Sequence, residues 1–154
     1  MAASAVRVER HGSGLWLWLN RPGALNALNS SIVAGLERGL DEAAVDDGVR
    51  AVVIAAEGRA FCAGADLKEV LGSSELVSRL GALFSRVEAF SKPVIAAVQG
   101  AALAGGLELV LCCDLWWRDV RRCSGTRMRT TGCSRRAGRR CGCRGGWGFR
   151  GPSS

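Results

Sequence analysis

The sequence predicts an α/β fold, and three observations carry that prediction. Along residues 1–115, segments with the period of a strand alternate with segments with the period of a helix. Two short apolar runs, RAVVIAAEG (50–58) and KPVIAAVQG (92–100), have the makeup of strands buried on both faces. Each run leads through a turn of small residues toward a helix.

Taken in order, GLWLWLN (14–20) alternates leucine with tryptophan, the pattern of a half-buried strand. RPGALNALN follows, with Pro22 and Gly23 as turn residues. Asn29 or Ser30 can cap the next segment, where Val33, Leu36, Leu40 and Ala44 recur at helical spacing, so an amphipathic helix is expected to about Ala44. DDG breaks it, and 50–58 forms the second strand. RAFCAGADLKEV reads as a glycine-containing turn. Leu76, Leu80, Leu83, Val87 and Phe90 define a second amphipathic helix, 92–100 a third strand, and AALAGGLELVLCCDL a small-residue turn that opens into an apolar helix. No repeat of fixed period is visible.

Composition divides the chain at Leu115. Residues 1–115 hold ten Lys/Arg and thirteen Asp/Glu, a net charge of −3. Residues 116–154 hold eleven arginines and one acid, a net charge of +10, with eight glycines and four cysteines. The overall +7 therefore describes the tail and not the body. The N-terminus lacks the apolar stretch of a secretory signal, and no apolar run reaches the ~18 residues that span a membrane. A cytoplasmic protein with free thiols and no membrane partner is the expectation. The tail offers C-x-C and long gaps, and His11 is the single histidine, so no metal site is expected.

The chemistry concentrates in two turns, Ala63-Gly64-Ala65-Asp66 and Ala104-Gly105-Gly106. Small residues let a ligand approach the backbone. A helix start leaves N–H groups unpaired and carries partial positive charge. Two such N–H groups converging on one oxygen make an oxyanion hole. The plainer alternative is a pair of tight turns, and neither matches a phosphate-binding fingerprint. Glu108 sits one turn into the apolar helix Leu107, Leu109, Val110, Leu111. A carboxylate on an apolar face is costly unless paired or functional, and burial would move it toward acid–base duty while the helix N-terminus opposes that. The alternative is a solvent-facing acid that complements the helix dipole.

LNRPGALNALN, RAFCAGADLKE and KPVIAAVQGAALAGGLELVLCCDL together resemble segments of the crotonase, or enoyl-CoA hydratase/isomerase, superfamily, from about Val8 to Leu115. The resemblance implies the N-terminal part of a crotonase-like ββα spiral fold. It implies that the N–H groups of Ala65 and Gly105 hold the thioester oxygen of an acyl-CoA. Ala24, Leu25, Ala63, Gly64, Asp66 and Leu67 would lie along the coenzyme A path. Glu108 would be the catalytic acid/base acting on the water that adds across a 2,3-double bond. No metal or redox cofactor is implied, because coenzyme A is part of the substrate. Whole family members are trimeric or hexameric, and the family's hydratases use a second glutamate on a later segment that this sequence does not contain. Isomerisation and thioester hydrolysis remain alternatives within the family.

Residues 116–154 are expected to be an unstructured basic tail. RNA binding through its arginines is one reading, although repeated RGG with interleaved aromatics is absent. A frameshift explains more. Arg, Gly, Cys, Ala, Trp and Pro are what GC-rich DNA yields out of frame. Back-translated GTRMRTTGCSRRAG (125–138), read one base earlier with the free bases chosen, gives DAHANYGLLPPG, which is similar to a segment the family carries shortly after CDL. On that reading nucleic acid is not a partner, and the chain is weakly active or inactive alone.

Overall fold

The structure is a computed structural model that describes residues 4–72, 74–119 and 133–134. Val6–His11 (β1) and Gly14–Leu19 (β2) form an antiparallel hairpin. As the alternation requires, Leu15, Leu17 and Leu19 are buried while Trp16 and Trp18 lie half-buried on the opposite face. There the two indoles stack with centroids 5.5 Å apart, and the Arg7 guanidinium lies over Trp18.

A 3-10 turn at Pro22–Ala24 leads to the helix Ser30–Val45 (α1), whose first turn is capped by the Asn29 side chain accepting from the Ile32 N–H at 3.0 Å. Ala51–Ala56 (β3), Ala60–Cys62 (β4), Leu67–Gly72 (α2) and Ser74–Glu88 (α3) follow. Val94–Gln99 (β5), Ala101–Ala102 (β6), Gly105–Cys112 (α4), Leu115–Asp119 (β7) and Cys133–Ser134 (β8) complete the described elements.

The large sheet has the order β1-β2-β3-β5-β7-β8, parallel from β2 to β7 and antiparallel at both outer pairs. β4 and β6 pair in parallel as a second, small sheet. The chain thus runs twice through one course, from large sheet to small sheet to helix: β3-β4-α2/α3, then β5-β6-α4. This is the ββα spiral expected from the resemblance. Ile32, Val33, Leu36 and Leu40 of α1 and Leu76, Leu80, Leu83 and Val87 of α3 are buried in one core with Leu15, Leu17, Val52, Ile54, Val94 and Ala96 of the sheet.

The structure corrects the sequence reading in three places. β1 and the two short strands of the small sheet were not anticipated. The segment read as a single turn, 59–70, contains β4 and the start of α2. The boundary at Leu115 falls within structure: β7 runs to Asp119 alongside β5, Trp116 packs against the core, and β8 pairs with β7. Those stretches of the basic segment are strand and not unstructured chain. The rest of the segment, with the expectations placed on it, lies outside the described residues.

Candidate active site

The turn after β4 and the turn after β6 meet because their strands are neighbours in the small sheet. Leu28 forms an isolated parallel bridge with Ala65: its N–H donates to the Gly64 carbonyl at 2.8 Å, and its carbonyl accepts from the Asp66 N–H at 2.9 Å. The residues on either side of Ala65 therefore face Leu28. By the alternation of an extended chain, the N–H of Ala65 faces the other way.

At the second turn the Gly106 N–H closes onto the Leu103 carbonyl at 2.8 Å. Ala104, inside that turn, has φ 44° and ψ −124°, a type II′ conformation that glycine adopts freely and alanine does not. Such backbone costs about 1–3 kcal/mol. It flips the Ala104–Gly105 peptide relative to an ordinary turn and so sets the direction of the Gly105 N–H. Gly64, at φ 113°, completes the fit, since a Cβ there would come within 3.1 Å of the Ala104 Cβ. A Cβ built on Gly105 would stand 3.4 Å from the Ala65 nitrogen, so the two candidate donors are immediate neighbours. Neither N–H donates a hydrogen bond to the protein among the described residues.

Both donors open into a pocket of about 950 Å³. Of the residues anticipated from sequence, Ala24, Ala63, Gly64, Ala65, Asp66, Leu67, Gly105 and Glu108 line it. Leu25 does not. It takes a left-handed conformation, φ 49°, and its carbonyl accepts from the Ala63 N–H at 3.0 Å, so it holds the end of β4 in place.

Glu108 requires a correction. It follows Gly105 by three positions on α4 and faces the pocket, but its side chain is exposed and not enclosed by apolar neighbours. The premise of burial does not hold for the described residues. Asp66, the other carboxylate of the lining, is committed: Arg21 donates to it at 3.2 Å and the Lys68 N–H at 3.2 Å. Arg21 also donates to the Ala27 carbonyl at 2.9 Å, tying the 21–27 loop to the start of α2.

Ala104, from the second turn read in the sequence, also lines the pocket, whereas Arg21, Ala27, Lys68 and an apolar wall from α2 and α3 were not anticipated. Behind the turns the Cys62 thiol is buried, and the Gly64 N–H approaches its sulfur at 3.4 Å. Burial pushes the Cys62 thiol above its ordinary value, so it is an inert packing group. Among the described residues no group of three or more His, Cys, Asp and Glu is placed to hold a metal ion, and no helix is long and apolar enough to cross a membrane.

A family model described as enoyl-CoA hydratase/isomerase matches residues 11–120. A probable enoyl-CoA hydratase of Bacillus subtilis (strain 168) is 47% identical over 105 residues, covering 64% of this chain and 40% of the relative. The 2,3-dehydroadipyl-CoA hydratase of Escherichia coli (strain K12) is 43% identical over 116 residues, covering 73% and 45%. Among solved structures, an enoyl-CoA hydratase/isomerase from Xanthobacter autotrophicus Py2 superposes with a TM-score of 0.71 at 32% identity, covering 76% of this chain and 46% of that one. The chain therefore spans less than half the length of these relatives.

Proposed function

The chain belongs to the enoyl-CoA hydratase/isomerase family, and from that premise we propose that its pocket binds acyl-CoA thioesters and that its parent activity is the hydration of 2-enoyl-CoA. The observation that carries the reading is the pair of adjacent, unengaged N–H groups of Ala65 and Gly105 at the floor of the pocket. Addition of water to a 2,3-double bond places enolate charge on the thioester oxygen. Two preorganised donors lower that barrier, each worth about 3 kcal/mol in comparable sites. Glu108, the carboxylate of the lining not tied to Arg21, handles the proton of the water or of the α-carbon. Ala24, Ala63, Asp66 and Leu67 flank the coenzyme A arm. Coenzyme A enters as part of the substrate, and the step itself calls on no redox group. The buried thiols of Cys62 and Cys113, which form no disulfide among the described residues, favour a reducing compartment such as the cytoplasm.

A hydratase working with one acid/base group in place of two loses about 10²–10⁴-fold in rate. The purified chain should therefore bind crotonyl-CoA while hydrating it slowly. Glu108→Gln should abolish the residual turnover and leave the affinity within about twofold, because the carboxylate acts on a proton and not on the coenzyme. Loss of the enoyl-thioester absorbance and equilibrium titration measure the two quantities. Failure to bind any CoA thioester sinks the reading. One observation favours a second reading, double-bond isomerisation: a 1,3-proton shift needs only one acid/base, and Glu108 is the single lining carboxylate without a cation partner among the described residues. Product analysis separates the two.

A further inference from the structure

α3 carries two apolar faces. Leu76, Leu80, Leu83 and Val87 are buried in the core. Val77, Gly81 and Phe84, at helical spacing i, i+4, i+7, border the pocket together with Leu80 and with Val70 of α2. Val77 is 52% exposed, a large apolar side chain left open on a helix whose other exposed positions are mostly polar. Gly81 stands in the middle of this wall, and a Cβ built on it meets nothing within 4 Å. Glycine in a helix interior costs about 1 kcal/mol relative to alanine, and no close contact at Gly81 demands it. What its missing side chain leaves is space.

The pocket is thus two-sided about the paired N–H groups. Arg21, Asp66 and Lys68 supply one polar side, suited to the amide-rich arm of a CoA thioester. Val70, Val77, Leu80, Gly81 and Phe84 supply a side without a single polar side chain. The nearby cations of α3 are engaged elsewhere: Arg79 with Glu37 and Arg86 with Asp41, each at 2.6 Å. From Val77 to Phe84 the wall rises about 10 Å, roughly twice the reach of a four-carbon acyl group.

Resting on the acyl-CoA reading above, we propose that this wall seats an unbranched, uncharged acyl chain longer than four carbons, and that Gly81 sets the length accepted. The test is equilibrium titration of the full chain with CoA, acetyl-CoA, butyryl-CoA, hexanoyl-CoA, octanoyl-CoA and adipyl-CoA. Affinity should rise from acetyl to octanoyl by up to about fourfold per methylene. Adipyl-CoA, of hexanoyl length but ending in a carboxylate, should bind about tenfold or more below hexanoyl-CoA, for want of a cation on the wall. Gly81→Leu should remove most of the octanoyl gain while acetyl-CoA affinity stays within about twofold. Gly81→Ala, which adds one methyl to open space and favours the helix, should fall between and stands in if the leucine variant misfolds. Affinity flat across the saturated series, adipyl equal to hexanoyl, or an octanoyl gain unchanged in both variants overturns the inference alone. Failure of CoA and acetyl-CoA to bind overturns the acyl-CoA reading and this inference with it.

Discussion

Asn26 is the residue on which the pocket rim hangs. It is fully buried at φ 55°, its Oδ1 accepts from the Arg21 N–H at 2.8 Å, and its Nδ2 donates to the carbonyls of Glu57 and Ala60 at 2.8 and 2.9 Å. One side chain thereby fastens the 21–27 loop to the β3–β4 connection. Asn26→Ala would leave three backbone groups without this partner, one of the bonds buried and two part-buried, and should cost about 3 kcal/mol, read as a lower urea midpoint with an unchanged slope. A second residue-scale expectation concerns pH. Burial pushes the Cys113 thiol up to about 12, and the Cys62 thiol is raised by the same cause. Both groups hold their protons more tightly when folded. Their contribution is therefore complete below the ordinary thiol value and is lost as pH rises from about 9 toward 12. Denaturation midpoints should decline through that window, and less steeply in Cys113→Ala. If the two slopes are equal, Cys113 is not the group responsible.

At the scale of elements, α1 ends on a cation it does not itself carry. Lys92, just before β5, donates to the carbonyls of Ala43 and Asp46 at 2.6 and 2.8 Å. It pairs with the Ala43 carbonyl, adds a second donor to the Asp46 carbonyl that already accepts from the Val49 N–H at 3.0 Å, and complements the negative end of the helix. Lys92→Met should cost about 1–2 kcal/mol, and amide exchange in the last turn of α1 should quicken more than in its first turn. What could be read from the sequence depended on element length. β2, α1 and α3 announce themselves by period, and β3, β5 and α4 by unbroken apolar runs, each over six or more residues. β4 and β6 have three and two residues, too few to show a period, and exist because each finds the other across the fold. β1 does alternate, but its outward positions are charged and it lies at an edge, so its apolar signal is two valines. The same limit governs the site. The two turns were legible because glycine marks them and Glu108 follows one. The α3 wall was not, because Val77, Gly81 and Phe84 become a surface of the pocket only through how α3 docks.

For the molecule as a whole, the matched region reaches residue 120, past the break in composition at Leu115. The sheet agrees, with β7 continuing to Asp119. We propose that the arginine-rich composition beyond that point reflects a shift of reading frame at or after codon 120. Genomic sequence there should contain, one base away, an open frame encoding a further stretch of family-like residues. If both other frames close within a few codons, the basic segment is genuine. The arrangement of the two donor turns bears on how the chain reaches its native state. Ala65 and Gly105 belong to successive spiral turns and become neighbours only after β4 and β6 have paired in parallel across two intervening helices, α2 and α3, and the strand β5. Such pairing is non-local and is reached slowly, because loop closure must precede the contacts that reward it. The helices can form early, whereas the junction of the two turns is assembled among the last features of the chain. On the acyl-CoA reading proposed above, a bound thioester would report completed folding, because a partly folded chain would have its helices before the two turns meet.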